Sequence, residues 1–286
     1  MSLILNDIHS QLNATAVEQI VKPRTLDELI EVIVQARVRG LKISIAGGRH
    51  AMGGQQFASG SLHIDMTALD AVLGADAERG LLHIEAGAVW PAIIEASHRM
   101  DTSSGRRWGI RQKQTGVDDV SLGGSISANA HGRGLQMQPF GDDIEDLTLI
   151  NADGLTVFCN RNENAELFSL VIGGYGLFGI IYSATLRLAP RQRLKRLVDI
   201  IDLDDAMNAV FRRTAEGCLF GDFQFVIDKI KKPGFSKEKG REQYLYNSGV
   251  QRVIRRERFS AMWSPPASES AASLPRHRFV GGISRR

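Results

Sequence analysis

Apolar residues first recur at helical spacing between Leu26 and Val34, where Leu26, Leu29, Ile30, Ile33 and Val34 share one face. That period predicts an amphipathic helix. Thr25 and Glu28 form a T-x-x-E capping box just after Pro23, which places the helix start, and Gly40 supplies its stop. Short apolar runs follow. Residues 42–46 predict a strand that empties into Gly47-Gly48-Arg49-His50, and further strands are predicted at 62–66 and 81–85. A helix is expected from Pro91 to about Arg99. Residues 144–159 read as two strands joined by the turn Asn151-Ala152-Asp153-Gly154. Asn164 opens a helix that ends at Gly173-Gly174, and residues 180–188 form a clear strand.

Pro190 and the basic stretch from Arg191 to Arg196 mark a domain boundary. Beyond it the pattern predicts a strand from Leu197 to Ile201, a helix from Asp204 to Ala215 and a strand from Leu219 to Ile227. These start a second α+β domain at residues 191–228 without completing it. From about Lys229 neither structural period persists, so residues 229–286 read as a disordered or aberrant tail, as a truncated or shifted reading frame would produce. Within it, residues 264–270 (Ser-Pro-Pro-Ala-Ser-Glu-Ser) are low in complexity. The run from Arg252 to Arg258 is either a basic helix or part of a solvated tail.

Composition narrows the function classes. Hydrophobic residues make up 43% of 286, enough to bury a core and to exclude global disorder. A formal charge of +3 implies no polyanionic partner, and the C-terminal arginines lack the interleaved aromatics of a nucleic-acid surface. The two cysteines, Cys159 and Cys218, lie far apart and suggest neither a disulfide framework nor a metal site. No basic n-region opens the chain, and no apolar run approaches the roughly 20 residues that span a bilayer. The expected location is the cytoplasm, with no membrane partner.

Glycine is concentrated in three clusters. The first, Ala46-Gly47-Gly48-Arg49-His50-Ala51-Met52-Gly53-Gly54, follows a strand. It is either a plain turn or a nest of backbone N–H groups suited to a phosphate, but not a Walker loop, since no Gly-Lys-Ser/Thr follows. The second runs from Ser121 through Gly123, Gly124, Ser127 and Ala128 to His131-Gly132. Its small residues permit close approach of a flat ligand or of another packed layer, and Ser125 to Ala130 suggests a short helix whose N-terminus faces an anion. The third, Gly173-Gly174-Tyr175-Gly176-Leu177-Phe178-Gly179, contains G-x-G-x-x-G. A dinucleotide fingerprint must follow a strand and open a helix; here the order is reversed, and the match is rejected.

Taken in order, a strand, a G-G-x-H loop, L-G-G-x-x-x-x-N-x-H-G, and G-G-Y-G-x-x-G-x-I before a strand resemble the PCMH-type FAD domain of the vanillyl-alcohol-oxidase superfamily. The resemblance covers roughly Val21 to Pro190. It implies an α+β fold in which two subdomains, within residues 1–190, hold FAD between them ahead of a substrate domain. It also implies that Ala46, Gly47, Gly48, Arg49, His50, Ala51 and Met52 surround the FAD pyrophosphate. Ser121, Gly123, Gly124, Ser127, Ala128, His131 and Gly132 would pack along the flavin, and Gly179 and Ile180 would face it through their backbones. His50 stands where many relatives bond a histidine covalently to the flavin; the alternative is a histidine that hydrogen-bonds beside the pyrophosphate. A second attachment through cysteine is not expected, since none stands near Gly116 and Val117. The segment Trp108 to Gly116 either lines the flavin or substrate entrance or is a solvated loop.

The implied activity is oxidation of a hydroxyl-bearing carbon in a polyol, sugar or sugar lactone, with oxygen or another acceptor reoxidising the flavin. The alternative is an FAD-binding fragment that lacks a working substrate domain. No residue declares itself as the catalytic base.

Overall fold

The computed structural model describes residues 3–100, 102–103, 105–114, 116–201, 203–223 and 249–256. They divide into two compact units, one built from residues up to 132 together with 138–191, the other from 133–137 and 192 onward.

The first unit opens with β1 (Leu3–Leu5) and β2 (Thr15–Val17), an antiparallel pair, followed by β3 (Gln19–Val21). Next come α1 (Leu26–Val38), β4 (Ile43–Ala46) and β5 (Leu62–Asp65). β5 lies between β3 and β4 in a parallel three-stranded sheet, whose connection between β3 and β4 is α1. The capping box forms with a shift: Thr25 Oγ1 accepts the Glu28 amide at 3.2 Å, while Glu28 reaches back to the Arg24 amide at 2.7 Å. Leu29, Ile33 and Ala36 form the buried face of α1, with Val34 exposed, and they pack with Leu62 and Ile64 of β5.

The second layer contains β6 (Val72–Asp76), β7 (Leu81–Glu85), α2 (Trp90–His98), β8 (Trp108–Ile110) and α3 (Leu122–Ser127). It is completed by β9 (Ile144–Ile150), β10 (Thr156–Asn160), α4 (Ala165–Val171) and β11 (Ile180–Pro190). The antiparallel order is β10-β9-β11-β7-β6, with β8 paired to the end of β11. Leu82, Ile84, Leu147, Leu149, Ala184 and Leu186 supply the sheet side of one core, and Trp90, Ile93, Leu122, Ile126, Phe168 and Val171 the helical side. Ile150 and Ile180 belong to the other core, so the ends of β9 and β11 reach the layer built on α1.

The second unit contains β12 (Leu194–Ile201), α5 (Ala206–Ala215), β13 (Cys218–Asp222) and β14 (Gly249–Arg256). β14 lies between β12 and β13, antiparallel to both. The run from Arg252 to Arg256, weighed as a basic helix or solvated tail, is therefore strand. The two partner strands supply its hydrogen bonds, and its β-branched Val250, Val253 and Ile254 favour extended backbone. The low-complexity stretch 264–270 and the rest of the expected tail lie outside the described residues, as does the predicted strand beyond Phe223. Residues 133–137 join this unit: Leu135 N–H donates to Leu219 O at 2.9 Å, and Gly221 N–H to Arg133 O at 2.8 Å.

The strands β1, β2, β3, β6 and β8 lack a distinct sequence signal. β8 answers part of the question left open at 108–116: Trp108 is buried in the core, where its Nε1 donates to Ala77 O at 2.6 Å.

Two buried titratable groups act oppositely on stability. Burial pushes the Asp143 carboxyl up to about 6, against the attraction of Arg111, whose Nη1 donates to it at 2.7 Å. The folded state then binds the extra proton, and stability falls as pH rises from about 4 to about 6. Burial pushes His63 down to about 4. Its unfolded form binds the extra proton, so this contribution is present above 6.5 and is lost as pH falls toward 4. The two slopes are opposite in sign, each roughly 3 kcal/mol across its window. Urea midpoints should rise more steeply with pH between about 4 and 6.5 in Asp143→Asn than in the native protein; an unchanged profile in that variant would contradict the assignment.

Candidate functional site

Within the first unit, a cavity of about 370 Å³ opens where the three glycine clusters meet. The first cluster leaves the carboxyl end of β4, the side of a parallel sheet on which ligands characteristically bind. Gly47 touches the second cluster so closely that a Cβ there would lie 2.0 Å from Ser121 Oγ. Arg49 has φ +56°, a left-handed turn that reverses the chain. Among the described residues, no protein acceptor takes the amides of Gly48, Arg49, His50 or Ala51. Four backbone donors in a row on a cavity wall suit the oxygens of a phosphate.

The second cluster differs from expectation at the start of its helix. The helix starts at Leu122 rather than Ser125, capped by Ser121, whose Oγ accepts the Gly124 amide at 3.2 Å. The next amides are also consumed: Leu122 donates to Ala88 O and Gly123 to Ala86 O, both at 2.8 Å. The α3 N-terminus therefore has no donors left for an anion. Its small residues serve close packing, since a Cβ on Gly123 would lie 2.9 Å from the Ala86 Cβ.

The third cluster is tied to α3 by Gly173 N–H to Ile126 O at 3.0 Å and Tyr175 N–H to Ser127 O at 3.1 Å. Gly179, at φ +137°, occupies a conformation that side chains avoid, and its neighbour Ile180 begins β11 against the cavity.

Of the residues expected at the site, Ala46, Gly47, Gly48, Arg49, His50 and Ala51 line the cavity, as do Ser121, Gly123, Gly124, Ser127, Ala128, Gly179 and Ile180. Met52, His131 and Gly132 do not line it. The Met52 side chain is exposed, and the exposed His131 holds its own loop through Nδ1 to Gly132 O at 3.0 Å.

Two further wall residues carry chemistry. Gln114 Oε1 accepts Trp90 Nε1–H at 3.0 Å, which leaves its buried Nε2 without a partner. Gln56 Nε2 donates to Ala51 O at 2.8 Å, leaving its buried Oε1 without one. One donor and one acceptor, desolvated and unsatisfied, fit a ligand with a polar heteroaromatic edge, as a flavin has. Tyr175, at φ +51°, adds a ring to the same wall. Single polar residues such as Gln56 give no sequence signal; Gln114 stands inside the segment from Trp108 to Gly116, read as lining the flavin or the substrate entrance or as a solvated loop.

His50 is half-buried, and Asp119 and His9 face it. Burial and then the neighbouring His9 lower its pKa, against the pull of Asp119. The ring is thus held neutral. Among the described residues no group of three His, Cys, Asp or Glu is placed to hold a metal, and no helix is long and apolar enough to cross a membrane.

A family model described as an FAD binding domain matches residues 17–160. The chain is 30% identical over 175 residues to an uncharacterized oxidoreductase in the fasciation locus of Rhodococcoides fascians, covering 59% of this chain and 37% of the relative. It is 26% identical over 205 residues to L-gulonolactone oxidase of Mus musculus, covering 68% and 44%. It is 29% identical over 199 residues to L-gulono-1,4-lactone dehydrogenase of Mycobacterium tuberculosis, covering 65% and 44%. The chain spans less than half the length of these relatives.

Proposed function

Because the chain belongs to the FAD-binding-domain family, we propose that it is an FAD-dependent oxidoreductase acting on a hydroxyl-bearing carbon of a sugar lactone, sugar or polyol. The observation that carries this reading is the cavity itself, where unpaired amides at 48–51 meet the unsatisfied Gln114 Nε2 and Gln56 Oε1. The amides would hold the pyrophosphate, and the two glutamines the polar edge of the flavin. Bound FAD supplies the two-electron acceptor. The protein's own residues exclude water and fix the ring: Ala86, Val120, Ile180 and Ile181 give the wall its apolar surface. His50, neutral at the edge of the first loop with His9 and Asp119 facing its ring, would stand beside the pyrophosphate, the second of the two roles its position allows. Oxygen or another acceptor would complete the cycle.

The substrate class follows the lactone oxidase and dehydrogenase relatives. Anaerobic bleaching of the flavin by L-gulono-1,4-lactone, by free sugars and by alditols tests it. The lactone is expected to bleach it fastest. A flavin retained but bleached by none of the three would reduce the function to FAD binding.

A further inference from the structure

Residues 6–13 precede the matched family region, yet they form a compact loop held against the first glycine cluster, which lines the cavity. Its organiser is Asp7, which is fully buried. Asp7 Oδ1 accepts the amides of His9 at 3.0 Å and Ser10 at 2.6 Å. Oδ2 accepts Ser10 Oγ–H at 2.7 Å and Asn13 Nδ2–H at 2.8 Å. Burial raises the carboxyl's pKa, but these hydrogen bonds outweigh it and hold the group well below the usual carboxylate range. A carboxylate satisfied this fully fixes a loop with no regular structure of its own.

The loop is then fastened to the first glycine cluster at four points, one of them Arg49 Nη1–H donating to Asn6 O at 3.5 Å. Ile8 N–H donates to Arg49 O at 3.2 Å, Asn13 Nδ2–H to Met52 O at 2.8 Å, and the ring nitrogens His9 Nε2 and His50 Nδ1 lie 2.9 Å apart. On the other side of His50, a Cβ built on Gly48 would lie 2.6 Å from Asp119 O and 2.7 Å and 3.0 Å from His50 Cδ2 and Nε2. The Nε2 edge therefore faces the Asp119 carbonyl, which draws the ring proton to it. Nδ1 is left as acceptor, and His9 Nε2–H is its donor.

We infer that the loop at residues 6–13 is part of the cofactor site and that His9 is the positioning residue that fixes the orientation and tautomer of the His50 imidazole. The inference rests on reading the cavity as the FAD site. Among the described residues, the cavity-lining group that the His9 side chain hydrogen-bonds is the His50 ring, so it acts through His50. Of the two ring nitrogens, His9 covers the one with the lone pair, and the His50 plane stays fixed at the cavity wall.

Ring-¹⁵N NMR of the full chain tests this, together with the flavin retained through gel filtration. The wild type should show His50 as the Nε2–H tautomer. His9→Ala should give mixed tautomers, a His50 titration moved up toward the ordinary range, and about tenfold less retained flavin, the size of one lost hydrogen bond. His9→Gln, whose amide N–H can still donate to Nδ1, should restore all three. His9 is exposed, so neither change threatens the core. His50 signals identical in wild type and His9→Ala would overturn the inference. A wild type that takes up no FAD while His50 still responds to His9 would sink the cofactor reading alone and support the pairing.

Discussion

Gly47→Ala is expected to weaken FAD binding by at least about 100-fold, roughly 2.7 kcal/mol, in a chain that still folds. The new Cβ would lie 2.0 Å from Ser121 Oγ and 2.7 Å from Ser121 Cβ. Carbon contacts become favourable only near 3.5–4 Å, so something must move. Ser121 has little room: it caps α3 and is bridged to Val89, which immediately precedes α2. The first glycine loop is the freer partner, and its displacement would scatter the amides at 48–51. Ser121→Gly removes the colliding atoms, so the double variant should recover a large part of the loss despite the missing cap. A double-mutant cycle reads that coupling directly. Unchanged affinity in Gly47→Ala, or no rescue, would mean that the two clusters do not meet at the ligand.

A larger effect on folding is expected at Gly87. Its Cβ would lie 2.0 Å from Met66 O and 2.6 Å from Leu69 O, and its N–H donates to Leu69 O at 2.8 Å. Both obstacles are backbone, and the site is the seam where the core of α1 and β5, holding Met66 and Leu69, meets the core holding Ala86 and Ala88. Separating the two segments here would disturb both cores at once. Gly87→Ala should cost at least about 4 kcal/mol, in the range of the most damaging single substitutions. Gly60→Ala is the control: nothing lies within 4 Å of the new Cβ, and only φ +67° is strained, at about 1 kcal/mol. Urea unfolding of the two variants checks the contrast. Equal midpoints would contradict the close approach at the seam.

What was legible in the sequence was local. α1 carries its cap, its period and its stop within a few residues, and the β9–β10 hairpin carries its turn between two apolar runs. β14 was not legible because its partners, β12 and β13, end more than 25 residues earlier, and its mixed run of Arg with Val and Ile has no period that decides between readings. The meeting of the three glycine clusters was anticipated through family resemblance, because glycine repeats leave a visible signature. The use of α3 was misjudged for a physical reason: spacing shows where amides begin, not that Ala86, Ala88 and Ser121 will consume them. Gln56, Gln114 and His9 carry no periodic signal at all. Their roles follow from tertiary placement, where one half of an amide is spent on the protein and the other half faces the cavity.

The central claim is that this cavity holds FAD. The most direct measurement is the visible absorbance spectrum of the protein purified with FAD, followed by acid precipitation, for the wild type and for Gly47→Ala. The expected result is flavin bands in the wild type at one flavin per chain, absent from the folded variant, with the colour released into the supernatant by acid, since both His50 ring nitrogens face protein partners. A wild type that stays colourless in excess FAD, or a Gly47→Ala protein as yellow as the wild type, would contradict it.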